Sequence, residues 1–282
     1  MNWLKRVKEV AIERNDSMPD KEFFSSKEYS ALTQRFAQNM VGGVRSYLAR
    51  QGYFITPQQE KKLIESTRVN VIYDDSKGAV AAFTDGCNIT INAGNELVTK
   101  NAHRPTQHYA IQGFRAHEQG HQLFTDFPTI KAWFNELESA RWWPAKPNGL
   151  SEPDGINLNH QMATDAGYLK IVCQIARFLS NELEDGFIER EMEMMFPGDV
   201  CTQLATFNSI LWDLTDNLDS ALEKKEAQPF PCILTQILMY AKFDNMKLGE
   251  YKGEYLALLE SCLDVIDDSK YERDPKKRVS CV

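Results

Sequence analysis

The sequence is short of basic charge, of paired cysteines and of long apolar runs, and each shortage excludes a class of protein. Acidic residues outnumber basic ones, 40 against 32, for a net charge of -8 and a pI of about 5.3. Nucleic acid is therefore not expected as a partner, because phosphate binding needs a basic face. The six cysteines (Cys87, Cys173, Cys201, Cys232, Cys262 and Cys281) form no C-x-x-C pair. That argues against both a disulfide framework and a cysteine zinc site. No uninterrupted apolar run reaches membrane-spanning length, so no membrane partner is expected. The first nine residues carry charges where a signal peptide would need an apolar core, and the chain reads as cytoplasmic. There is no internal repeat. What is present is 282 residues, 43% hydrophobic and 26% charged, enough for a continuous core in a globular protein.

Along the chain, residues 3–14 and 27–51 predict helices, the second with a stripe of Tyr29, Leu32, Phe36, Met40, Val44 and Leu48. Gly42-Gly43 within that stripe weakens the helix or permits a close helix contact. Thr56-Pro57-Gln58-Gln59 is a start signal with a capping box, for a helix to about Ser66. Strands are expected over 69–73, 79–83 and 88–92, the last two joined by a turn at Thr84-Asp85-Gly86-Cys87. A helix to about Arg141 precedes a Pro/Gly/Asn-rich loop from Trp142 to about Asn159. There Trp142-Trp143 either lines a cleft or anchors the loop on the core. A long helix is expected from about His160 to Met195, then three more over about 200–223, 229–244 and 249–267. Asp268 to Val282 is charged and aperiodic, reading as a flexible tail in which Lys276-Lys277-Arg278 is solvated. The layout is a helical segment (1–67), a metal-binding core (68–198), a C-terminal helical bundle (199–267) and a tail (268–282). The class is α+β, predominantly helical, with a small β-sheet.

The chemistry concentrates in Phe114–Phe124, which contains His117-Glu118-Gln-Gly-His121. Two histidines four apart on a helix point the same way and can reach one metal ion. The glutamate beside the first then lies next to the open coordination position, where it can take a proton from metal-bound water. The bland alternative is a helix with two surface histidines and a solvated glutamate. A catalytic zinc usually needs a third protein ligand, and the candidates lie in Ser180–Glu189. On a helical wheel Glu182, Asp185 and Glu189 border the apolar face, whereas Glu184 points nearly opposite. Carboxylates at such a border need a partner, either a metal or a salt bridge. His103, His108 and His160 could complete the site instead, though lone histidines are usually satisfied locally.

His117-Glu118-x-x-His121, followed by Asn181-x-x-Glu184-Asp185-x-x-Ile188-Glu189, resembles the zincin-like metallopeptidase domains that accompany von Willebrand A-like modules. Those occur among cobalt-chelatase-subunit-like proteins of bacteria and phages. Thr84-Asp85-Gly86 with Ile89-Thr90-Ile91-Asn92 is similar to the turn and strand that precede the motif helix in that group. Leu183-Glu184-Asp185-Gly186-Phe187 also resembles the L-N-E-G-F stretch of gluzincin aminopeptidases, in which the acidic residue before glycine binds zinc. This chain has aspartate there instead of glutamate. The resemblance implies Zn2+ held by His117, His121 and Asp185; Glu184 stays open as the alternative third ligand. Glu118 would be the general base, and Asn181 and Glu189 would orient ligands from one turn either side of Asp185. The implied function is a zinc-dependent metallopeptidase that hydrolyses peptide bonds of a peptide or protein substrate through a glutamate-activated, zinc-bound water. A metal-stabilised interaction module working with an AAA+ ATPase is the alternative, and a non-peptidase hydrolase with the same activated water is a third reading.

Overall fold

Local side-chain chemistry sets the helix starts in the computed structural model, which describes residues 18–50, 55–144, 151–224 and 228–282. Thr56 Oγ1 accepts the Gln59 N–H at 3.2 Å, while the Gln59 side chain accepts the Thr56 N–H at 2.7 Å. This is the expected capping box, with Pro57 in the first turn of helix Pro57–Ser66. Ser26 caps helix Lys27–Val41 by accepting from the Tyr29 N–H. The single helix expected over 27–51 is two: Gly42-Gly43 ends the first, and Val44–Arg50 follows. The helix expected at 3–14 lies outside the described residues.

The sheet has the order β1 (Arg68–Ile72), β3 (Asn88–Asn92), β2 (Ala82–Thr84), with β1 parallel and β2 antiparallel to β3. Alternate residues of β1 point inward, so Val69 and Val71 are buried between exposed neighbours. Strand β2 is shorter and later than the run 79–83 implied, because residues 79–81 contribute loop hydrogen bonds instead, including Ala81 O accepting from the Asn92 N–H at 2.8 Å. In the turn between β2 and β3, the Asp85 carboxylate accepts the backbone N–H groups of Cys87 and Asn88 at 2.9 and 2.6 Å. Gly86 there has φ +89°, a left-handed conformation that costs glycine little. The class is α+β with helix predominant, as expected. Among the described residues, no helix is long and apolar enough to cross a membrane.

The chain forms two compact units that interleave in sequence: Met1–Leu123 with Glu191–Leu214, and Phe124–Arg190 with Thr215–Val282. The boundaries expected after residues 67, 198 and 267 do not coincide with them. In the first unit, Ile89 and Ile91 of the sheet share a core with Ala110, Ile111 and Phe114 of helix Arg104–Phe124 and with Phe207 of helix Asp199–Leu214. Gly113 lets those two helices touch; a Cβ there would stand 2.5 Å from the Phe207 Cβ. Beside this contact the fully buried Arg115 donates to three glutamine oxygens, Gln112, Gln119 and Gln203, at 2.7–2.8 Å. Gln119 passes a hydrogen bond on to Ala37 O and Gln112 to Thr33, which ties the cage to helix Lys27–Val41. Burial pushes the Arg115 pKa down to about 10, which still leaves it charged at neutral pH.

In the second unit the expected loop after Trp142 holds a helix, Glu152–Thr164, started by the Ser151 cap and Pro153. The long helix begins at Ala166, not at His160, because Asp165 is extended and its carboxylate accepts the Gly167 and Tyr168 N–H groups. Trp142 and Trp143 pack against the core of Trp133, Leu137 and Met162, so the pair anchors its segment there. The expected flexible tail is a correction: helix Tyr255–Tyr271 continues through Asp268, and Pro275–Arg278 forms another helical turn. Val279 is buried in the tryptophan core, and Arg278 is only 3% exposed. Lys276 and Lys277 are solvated as read, but Arg278 is not.

Two measurements test these contacts. Arg115→Ala orphans three buried oxygens and is expected to lower stability in urea unfolding by at least about 3 kcal/mol. The turn hydrogen bonds hold the Asp85 carboxyl down at about 2. Because the folded value lies below the unfolded ~3.9, its contribution is complete above about pH 4 and disappears as pH falls through the folded value. A carboxyl-carbon NMR titration should place the Asp85 midpoint well below those of the exposed aspartates.

Candidate metal centre

The motif helix, Arg104–Phe124, owes its position to the packing of Ala110, Ile111 and Phe114 on the sheet. That packing leaves the face bearing His117 and His121 one turn further along. Their rings stand 5.0 Å apart, centroid to centroid, at an interplanar angle of 85°. His117 and Glu118 are 8% and 7% exposed, and His121 is half-buried. The solvated-surface alternative for this stretch therefore does not describe it. The His117 ring also lies 6.1 Å from that of Phe207.

On helix Ala166–Met195, every residue from Glu182 to Glu189 is buried, four carboxylates among them. The wheel placed Glu184 on the exposed side. Instead it is buried because the C-terminal segment covers that side. Arg278 donates Nε to Glu184 Oε2 at 2.7 Å and Nη2 to Oε1 at 3.2 Å, while its guanidinium lies 3.7 Å from the Phe187 ring centroid. Both Glu184 oxygens are thus engaged in a two-pronged ion pair.

Asp185 faces another cation. Gly186 permits helix Pro229–Phe243 to approach closely, since a Cβ there would meet Ala241 O at 2.8 Å. The next residue along that helix, Lys242, lies with Nζ 2.5 Å from Glu189 Oε1 and 3.6 Å from Asp185 Oδ2. Burial alone would pull the Lys242 pKa down, but the charges of Glu189 and Asp185 outweigh it and hold the ammonium above its ordinary value.

His117, His121 and Asp185 form a group that could hold a metal ion, each offering one ligand atom, all within 4.8 Å of one another. Two imidazoles and one carboxylate are also a donor set of catalytic zinc sites. The other candidates lie elsewhere. His108 is buried with Nδ1 2.8 Å from the Tyr29 hydroxyl, His103 and His160 are exposed, and so is Asn181. Glu189 is linked to Asp185 through their shared Lys242.

Lys242 and Arg278 are what sequence reasoning missed. Lys242 carried a signal, being the one charged residue in Pro229–Phe243. Arg278 carried none, since it stands in a run of basic residues with both neighbouring lysines exposed. Comparisons with family models, with curated proteins and with solved structures gave no match for this chain. Removing one partner of a buried pair strands the other, so Arg278→Ala is expected to cost about 3–5 kcal/mol in denaturant unfolding. Lys276→Ala, two residues away and exposed, should stay within about 0.5 kcal/mol.

Proposed function

We propose that this protein is a zinc-dependent metallopeptidase with a zincin-like core. The observation that carries the reading is the His117, His121 and Asp185 group with Glu118 buried next to His117 on the same helix. His117, His121 and Asp185 would hold the ion, since the two-pronged bond from Arg278 already engages both oxygens of Glu184. When bound, zinc supplies Lewis acidity, polarising a carbonyl and lowering the pKa of water towards about 7. Glu118 takes the proton from the attacking water and returns it to the leaving amine. Among the described residues β2 pairs only with β3. Its other edge, with Phe83 exposed, supports an extended peptide as the substrate, since a strand edge binds one through backbone hydrogen bonds.

The test has two parts. Protein purified without added metal is expected to carry about one zinc per chain, lost in His117→Ala and in Asp185→Ala. Glu118→Gln should keep its zinc while hydrolysis of a peptide library falls by about 10²–10⁴-fold. Full hydrolysis by that variant with metal in place would reject the role of Glu118. Absence of hydrolysis in the wild type, with unfolding on zinc removal, would favour the metal-stabilised interaction module.

A further inference from the structure

Glu182, Asp185 and Glu189 are spaced three and four residues apart on one helix, so their side chains share a face. All three are buried. A cluster of that kind favours cations, and the protein supplies one from its own chain: Lys242, whose side chain is 3% exposed. The ammonium reaches both Glu189 and Asp185, and Glu182 adds to the field that stabilises it. Its position is enforced by the backbone, because Gly186 and Ala241 touch one residue away from the ion pair.

We propose that Lys242 is the positioning residue of the metal centre, its ammonium occupying the place of a second cation among Glu182, Asp185 and Glu189, so that the centre takes one divalent ion and not two. This rests on the metal-centre reading above. Two-metal hydrolytic centres hold their ions about 3.5–4 Å apart and share carboxylates between them. Lys242 meets Asp185 as a second ion would, but with a single charge and hydrogen-bond donors in place of open coordination positions. With Oδ2 facing the ammonium, Asp185 would have one oxygen left to offer a metal, and Glu189 holds Lys242 in place.

The experiment is zinc stoichiometry of the full chain by equilibrium dialysis and metal analysis, with zinc alone as the probe. Wild type and Lys242→Arg are expected to hold one zinc per chain. Lys242→Ala, which removes the ammonium and leaves room for an ion, is expected to hold two, and Lys242→Ala with Glu189→Gln should return to one. One zinc or fewer in folded Lys242→Ala overturns the inference and leaves the metal centre standing. If wild type holds none, the metal centre itself fails. Should Lys242→Ala be unfolded in metal-free buffer, added zinc is expected to restore its helical circular dichroism, and failure to do so counts against the role of Lys242.

Discussion

Buried charge is the constraint on which the described structure turns. Four carboxylates fall within eight residues of the long helix, and all are removed from water. An isolated buried carboxylate is far too costly to keep ionised, so each must meet a cation, a donor or a metal. The chain meets part of that demand from its far end. Arg278 grips Glu184 with both prongs of its guanidinium, which is why the last residues are ordered and packed on the tryptophan core. Lys242 meets Glu189 and Asp185, and the glycine at position 186 is what lets its helix come near enough.

The motif helix solves a related problem with neutral groups. Arg115 is buried two residues before His117, and its guanidinium is received by three glutamine oxygens. Two of them, Gln112 and Gln119, hand their own donors to helix Lys27–Val41, so the cage fixes the motif helix against its neighbours while its apolar residues fix it against the sheet. A helix clamped on two sides fixes the backbone that carries His117, Glu118 and His121, as a group able to hold an ion requires.

Much of this was legible in the residues. The capping box at Thr56, the turn at Asp85 and the strand at 88–92 depend on neighbours within a few positions, and each is found where the pattern put it. Helical spacing likewise gave the pair His117 and His121, while among the carboxylates at the edge of the long helix it was the resemblance that pointed to Asp185, the one grouped with them. Two errors share one cause. Reading the tail as flexible and reading Glu184 as solvent-facing both assumed that nothing covered that side of the long helix. Hydropathy cannot report a cover made of a charged segment, because there the burial comes from ion pairing between residues 94 positions apart.

The sequence by itself determined the capped helix start at Thr56, the α+β class and the histidine pair, because these depend on local periodicity and capping. Only the tertiary structure decided which carboxylate meets which cation. Glu184 and Asp185 are adjacent in the chain and alike in chemistry, and they differ in what packs against them: Arg278 for one, Lys242 for the other. Those partners are distant in sequence, and the direction each side chain takes is set by helix packing, which no window of neighbouring residues encodes.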